Sequence, residues 1–160
     1  ITGYTAKVAG TEKGGNEPQA AFSPCFGGPF LTLHPLRYAE LLKAKLEKHN
    51  SIVYLVNTGW IGGSPSSGAD RISIKDTRNI ITSILDGSIE QSNFFEEEFF
   101  GLSIPGSLNK VNPDILNPIN AWKDKDLYTD TAHKLADMFK QNFNEFGPKV
   151  EYLKKFGPII

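Results

Sequence analysis

The sequence predicts an α/β chain, and three neighbouring stretches carry that prediction. An amphipathic helical pattern over 35–49 runs almost directly into an unbroken apolar run, Ile52-Val53-Tyr54-Leu55-Val56, as expected of a strand covered on both faces. A long Gly/Ser loop follows, and a second helical pattern begins just after Ser73. Helix, strand, loop and helix make part of a repeating α/β unit, so a mixed or parallel sheet with flanking helices is expected. In open sheets of that kind, ligands sit beyond the carboxyl ends of strands, against the first turns of such helices. That directs attention to residues 68–78.

The totals bound the class. At 160 residues one core and one domain are expected rather than two. Apolar content of 39% and charged content of 22% are those of a globular chain rather than a disordered one. A net charge of -1 gives no whole-molecule attraction to nucleic acid or to an anionic membrane. No apolar run approaches the ~20 residues that a bilayer crossing needs. The single Cys25 excludes an internal disulfide framework and any multi-cysteine metal site, and fits a reducing, cytoplasmic compartment. The opening Ile1-Thr2-Gly3-Tyr4 has neither an initiator Met nor a leader pattern, so a piece of a longer protein is expected.

In chain order, residues 1–9 fit either a strand or a helical turn. Residues 10–29 carry Gly10, Gly14, Gly15, Pro18, Pro24, Gly27, Gly28 and Pro29, a density that means loop; a mobile lid and a plain surface connection both fit it. From Pro35, the spacing of Leu36, Ala39, Leu42 and Leu46 predicts a helix over 35–49. His34 stands just ahead of it, lysines gather in its later turns, and Asn50 can end it. Residues 57–73 read as loop. Ser73 with Asp76 three positions on resembles a capping box, so a helix starts at Ile74, with Thr77 in its first turn and Gly87 as its stop.

Clustered aromatics over 94–104 suggest one or two strands, with Glu96-Glu97-Glu98 as a solvated edge rather than a metal site. Residues 109–125, with Pro113 and Pro118, read as an extended link. A last helix is expected from about Leu127 to Phe146, with Leu135, Met138, Phe139 and Phe143 as its core stripe.

Chemistry is harder to read. Arg71, at the end of a Gly/Ser loop before a helix, can fork onto phosphate or ribose oxygens or stack on a purine; it can equally be a surface arginine paired to Asp70 or Asp76. The Thr77 hydroxyl can meet a ligand or bond back to the helix. Ile72 can cover a base or belong to the core. His34, His49 and His133 form no metal pair, and Cys25 reads as a buried structural thiol. There is no GxxxxGK[ST] phosphate cradle and no set of nucleophile, base and orienting group. The chain does not contain the engine of a phosphoryl transfer.

Five ordered blocks nevertheless carry a specific likeness. Residues 3–12, Phe22-Ser23-Pro24-Cys25-Phe26-Gly27, Leu31-Thr32-Leu33-His34-Pro35, Tyr54-Leu55-Val56-Asn57-Thr58-Gly59-Trp60 and Arg71-Ile72-Ser73-Ile74-Lys75-Asp76-Thr77-Arg78 resemble the C-terminal part of ATP-dependent phosphoenolpyruvate carboxykinase. The resemblance spans nearly the whole chain. It implies one partial domain, the C-terminal part of a P-loop-type mononucleotide-binding domain with a mixed sheet and flanking helices.

Members of that family convert oxaloacetate and ATP to phosphoenolpyruvate, ADP and carbon dioxide, a step of gluconeogenesis. The resemblance implies that Arg71 and Ile72 contact the adenosine part of ATP and that Thr77 also contacts ATP. The stretch Ala9–Gly27 resembles the family's mobile lid, which shields a reactive enolate from water. The P-loop lysine and threonine, the ligands of the divalent metal (Mg or Mn) and the arginines that hold oxaloacetate fall upstream of Ile1. The isolated 160 residues are therefore expected to be inert, with the remainder of the enzyme chain as their partner.

The chain departs from the family in two places. The loop between Trp60 and Arg71 is longer than usual, and Asn117, Ile119 and Ala121 stand where Asp, Arg and Thr are usual. A non-enzymatic nucleotide-binding module and an interaction domain are the rival readings.

Overall fold

The computed structural model describes residues 1–7 and 19–159, in which helices and short strands mix as the α/β expectation requires. Contacts gather the chain into two units, Ile1–Val53 with Leu135–Pro158, and Tyr54–Lys134 with Ile159.

In the first unit β1 (Tyr4–Lys7) pairs antiparallel with β2 (Gln19–Phe22), Tyr4 opposite Phe22. The ambiguous start of the chain is thus a strand. Its partner lies inside the Gly/Pro-rich stretch read as loop, because pairing to a distant strand leaves no mark on local composition. Residues 8–18, the main part of the expected lid, lie outside the described residues.

Beyond β2 the chain turns through two 3-10 segments, Pro24–Phe26 and Gly28–Phe30. The Ser23 amide donates to the Gly3 carbonyl at 2.7 Å and the Cys25 amide to that of Ile1 at 2.9 Å. A Cβ on Gly3 would lie 2.6 Å from the Ser23 oxygen, so glycine is what lets these backbones meet. Cys25 is half-buried rather than buried, with its thiol 3.8 Å from the Pro35 carbonyl oxygen.

Helix α1 (Pro35–His49) has the expected bounds. The His34 ring caps it: Nδ1 accepts from the Leu36 amide at 3.2 Å, while Nε2 lies 3.2 Å from the Phe146 carbonyl oxygen. A neutral ring with its proton on Nε2 serves both bonds. Asn50 ends the helix in the left-handed conformation at φ 48°. No residue of α1 is buried; Leu36, Ala39 and Leu46 are half-buried and Leu42 is exposed.

The last helix, α4, runs Lys125–Asn144 and crosses from the second unit into the first. Its fully buried position is Ala136, with Ala132 and Tyr128 one and two turns earlier on the same face; the expected stripe Leu135, Met138, Phe139 and Phe143 is only half-buried. Phe139 meets the Phe22 and Tyr4 rings at 5.3 and 6.0 Å, an aromatic cluster that ties the hairpin to the helix. A 3-10 segment, Pro148–Phe156, follows and buries Val150 completely.

The apolar run 52–56 is a correction. It forms no ladder with any described residue, and Ile52 and Leu55 are 64% and 77% exposed. Apolar character makes a run suitable for a covered strand, but the ladder needs neighbours that the run cannot supply. The described residues carry three separate two-stranded antiparallel hairpins instead of one sheet.

In the second unit β5 (Phe94–Glu96) pairs antiparallel with β6 (Ser103–Pro105), the two strands suggested by the aromatic cluster. Glu97, in the turn after β5, is buried rather than solvated. Its carboxylate accepts from the amides of Phe99 at 3.1 Å and Phe100 at 2.8 Å.

The stretch read as an extended link holds a 3-10 turn, Pro113–Ile115, and a short helix, α3 (Pro118–Ala121). Prolines at the first helical position start such turns rather than forbid them. The Lys125 ammonium donates to the carbonyls of Ile119, Asn120 and Trp122, satisfying the end of α3. Phe99, Tyr128 and Ala132 form the core of this unit, with Phe100, Ile119 and Trp122 packed against it.

Candidate functional site

The stretch read as a loop over 57–73 is a hairpin. Strands β3 (Trp60–Ile61) and β4 (Asp70–Arg71) pair antiparallel, with Trp60 opposite Arg71 and Ile61 opposite Asp70. One more rung, from the Ile72 amide to the Gly59 carbonyl at 3.0 Å, extends the pairing. Two-residue strands carry no period that a sequence reading can detect.

Serines and glycines close the connection between the strands. The Ser67 amide and hydroxyl both donate to the Ser64 carbonyl, at 3.0 and 2.7 Å. Gly62, at φ 78°, lies so close to α3 that an added Cβ would sit 2.7 Å from the Ala121 carbonyl oxygen. The long connection therefore has a defined path.

Helix α2 (Ile74–Leu85) begins where expected. Ser73 Oγ accepts from the Asp76 amide at 3.0 Å and donates to the Asp76 carboxylate at 2.6 Å, the reciprocal pattern that its spacing predicts. Asp86 closes the helix and Gly87 leaves it in the left-handed region at φ 75°. Asn79, half-buried in the second turn, donates to the Lys110 carbonyl at 2.7 Å and anchors the helix there.

Arg71 lies at the end of β4 and is exposed. Among the described residues it forms no ion pair with Asp70 or Asp76; its guanidinium instead lies 5.2 Å from the centroid of the Trp60 ring. Asp76 is already engaged by Ser73. Ile72 follows, half-buried, with its amide taken by the hairpin. Thr77 is half-buried in the first turn of α2; its amide donates to the Ser73 carbonyl at 2.9 Å, and its hydroxyl has no bond among the described residues. Arg71, Ile72 and Thr77 thus flank one helix start, two at the hairpin end and one within the first turn. Trp60 escaped the sequence reading, since its link to Arg71 exists only once the register is known.

A family model described as phosphoenolpyruvate carboxykinase matches residues 1–114. The chain belongs to that family. Among curated relatives, the phosphoenolpyruvate carboxykinase (ATP) of Campylobacter jejuni subsp. jejuni strain 81-176 is 56% identical over 162 residues, covering 100% of this chain and 31% of its own length. That of Sulfurimonas denitrificans is 51% identical over 163 residues, covering 94% of this chain and 31% of its own. The Staphylococcus haemolyticus protein of the same name is 47% identical over 157 residues, covering 98% and 29%. The chain spans about a third of the length of these phosphoenolpyruvate carboxykinases.

No group of three or more His, Cys, Asp and Glu residues with metal-binding arrangement occurs among the described residues. Glu97 spends its carboxylate on backbone amides. The cavity beside the glutamates is about 120 Å³, below the ~300 Å³ at which small-molecule sites begin. No helix among the described residues is long and apolar enough to cross a membrane.

Proposed function

We propose that this chain is the C-terminal part of an ATP-dependent phosphoenolpyruvate carboxykinase that converts oxaloacetate and ATP to phosphoenolpyruvate, ADP and carbon dioxide in the cytoplasm. The observation that carries this reading is the likeness along the entire chain: relatives bearing that name match 100% of it at 56% identity. In this reading the segment is one partial domain, completed by the rest of the enzyme into a P-loop-type fold with a mixed sheet. Its role is to supply the adenosine-facing wall of the ATP site, together with the lid. The rest of the chain supplies the phosphate cradle, the Mg or Mn ligands and the oxaloacetate site.

Arg71 is the residue on which the wall depends. A guanidinium engaged by an aromatic face rather than a carboxylate keeps its N–H edge available to ribose or base oxygens and nitrogens. Ile72 contributes an apolar surface beside it, and the Thr77 hydroxyl offers a donor or acceptor at the first turn of α2.

The test is Arg71→Ala in the complete enzyme. Losing one charged contact costs ~1.5–3 kcal/mol, so the Michaelis constant for ATP rises about tenfold or more while that for oxaloacetate stays level. An unchanged ATP constant would remove Arg71 from the site.

A further inference from the structure

We infer that Trp60 is a positioning residue for Arg71, holding its guanidinium in the orientation in which it meets the nucleotide. The inference deepens the proposed ATP site and rests on it. Trp60 and Arg71 are directly opposed in the β3–β4 register, so the ladder sets both side chains on one face of the hairpin. The guanidinium carbon lies 5.2 Å from the ring centroid, within the ~6 Å reach of a cation–π contact.

The hairpin is tied at Gly59, next to the pair. The Ile72 amide donates to the Gly59 carbonyl at 3.0 Å, and the Gly59 amide donates to Asn57 Oδ1 at 2.8 Å. Trp60 thus sits on a strand whose path is fixed immediately before it. Trp60 remains 36% exposed and stands outside the cluster of Phe99, Tyr128 and Ala132 and the residues packed on it, so its ring is not explained by packing there.

An exposed arginine otherwise samples many rotamers, and each must be given up when a ligand binds. A ring that holds one of them beforehand reduces that cost. It does so without consuming the N–H donors at the edge of the guanidinium, as a carboxylate would.

The experiment uses the complete enzyme with Trp60→Leu, Trp60→Phe, Arg71→Ala and the double variant Trp60→Leu/Arg71→Ala. Trp60→Leu raises the Michaelis constant for ATP about threefold, with kcat and the oxaloacetate constant nearly level. Trp60→Phe, which keeps an aromatic face, restores most of the lost affinity. In the Arg71→Ala background Trp60→Leu adds nothing further, because its partner is already gone.

Trp60→Thr serves if the leucine variant misfolds, since a β-branched residue suits a strand. A normal ATP constant in Trp60→Leu beside a raised one in Arg71→Ala overturns the inference and leaves the ATP-site reading intact. Equal, additive losses in both backgrounds overturn it as well. A normal constant in Arg71→Ala overturns the site reading itself.

Discussion

Single side chains in this protein are often committed to backbone groups, and that decides what remains for ligands. Glu97 illustrates it. In a run of three glutamates it looks like one more solvated charge, yet it is buried and takes two amides of its own turn. Its neighbour in the core, Tyr128, carries a consequence. Burial pushes the Tyr128 phenol up to about 12, and the negative charges of Glu97 and Glu98 push in the same direction. A raised native value means that the folded state holds this proton more tightly than the unfolded chain, whose phenol titrates near 10. The stabilisation is therefore whole below about pH 10 and drains away as pH rises from there toward 12. Denaturation of wild type and Tyr128→Phe side by side at pH 9 and pH 11 checks this, since the lysines titrate alike in both. The wild type should lose stability relative to Tyr128→Phe across that interval; parallel curves would refute the coupling.

At the scale of elements, legibility follows how local the stabilising interactions are. Helices α1 and α2 have the bounds that their sequences predict because Pro35, Asn50, Ser73 and Gly87 act within a turn of where they stand. Strands β2, β3 and β4 were hidden inside stretches that read as loop, since each is defined by a partner elsewhere. The same division runs through the candidate site. Arg71 and Thr77 were legible from their place around a helix start and from a family resemblance, whereas Trp60 joins them only through cross-strand register.

The cap on α2 is open to a direct test. Ser73→Ala removes the acceptor for the Asp76 amide and should cost about 1 kcal/mol of local helix stability. Amide exchange over the first turn of α2 then quickens about fivefold, whereas Ser73→Asp keeps near-native protection. If Ser73→Ala left the exchange rates of that turn untouched, the capping bond would hold no energetic weight.

For the whole molecule, the exposed apolar surface is the most telling feature. Ile52, Val53, Leu55 and Val56 are exposed together, and α2 leaves Leu85 81% exposed at its end. Burying one such aliphatic side chain is worth ~1.5–3 kcal/mol, so four of them within five residues represent a large unmet driving force. The unbroken apolar pattern suits a strand covered on both faces, and a chain spanning about a third of its relatives leaves ample sequence to cover it. On the reading proposed above, the run becomes an inner strand of the complete enzyme's sheet, its amides bonded to neighbours from outside this segment. Hydrogen exchange resolves the question. Amides of residues 52–56 should exchange quickly in the isolated segment, and several orders of magnitude more slowly in the complete enzyme, where opening them requires breaking the sheet. Fast exchange of the same amides in the complete enzyme would mean that the run is a surface connection after all, and that its apolar character needs another cause.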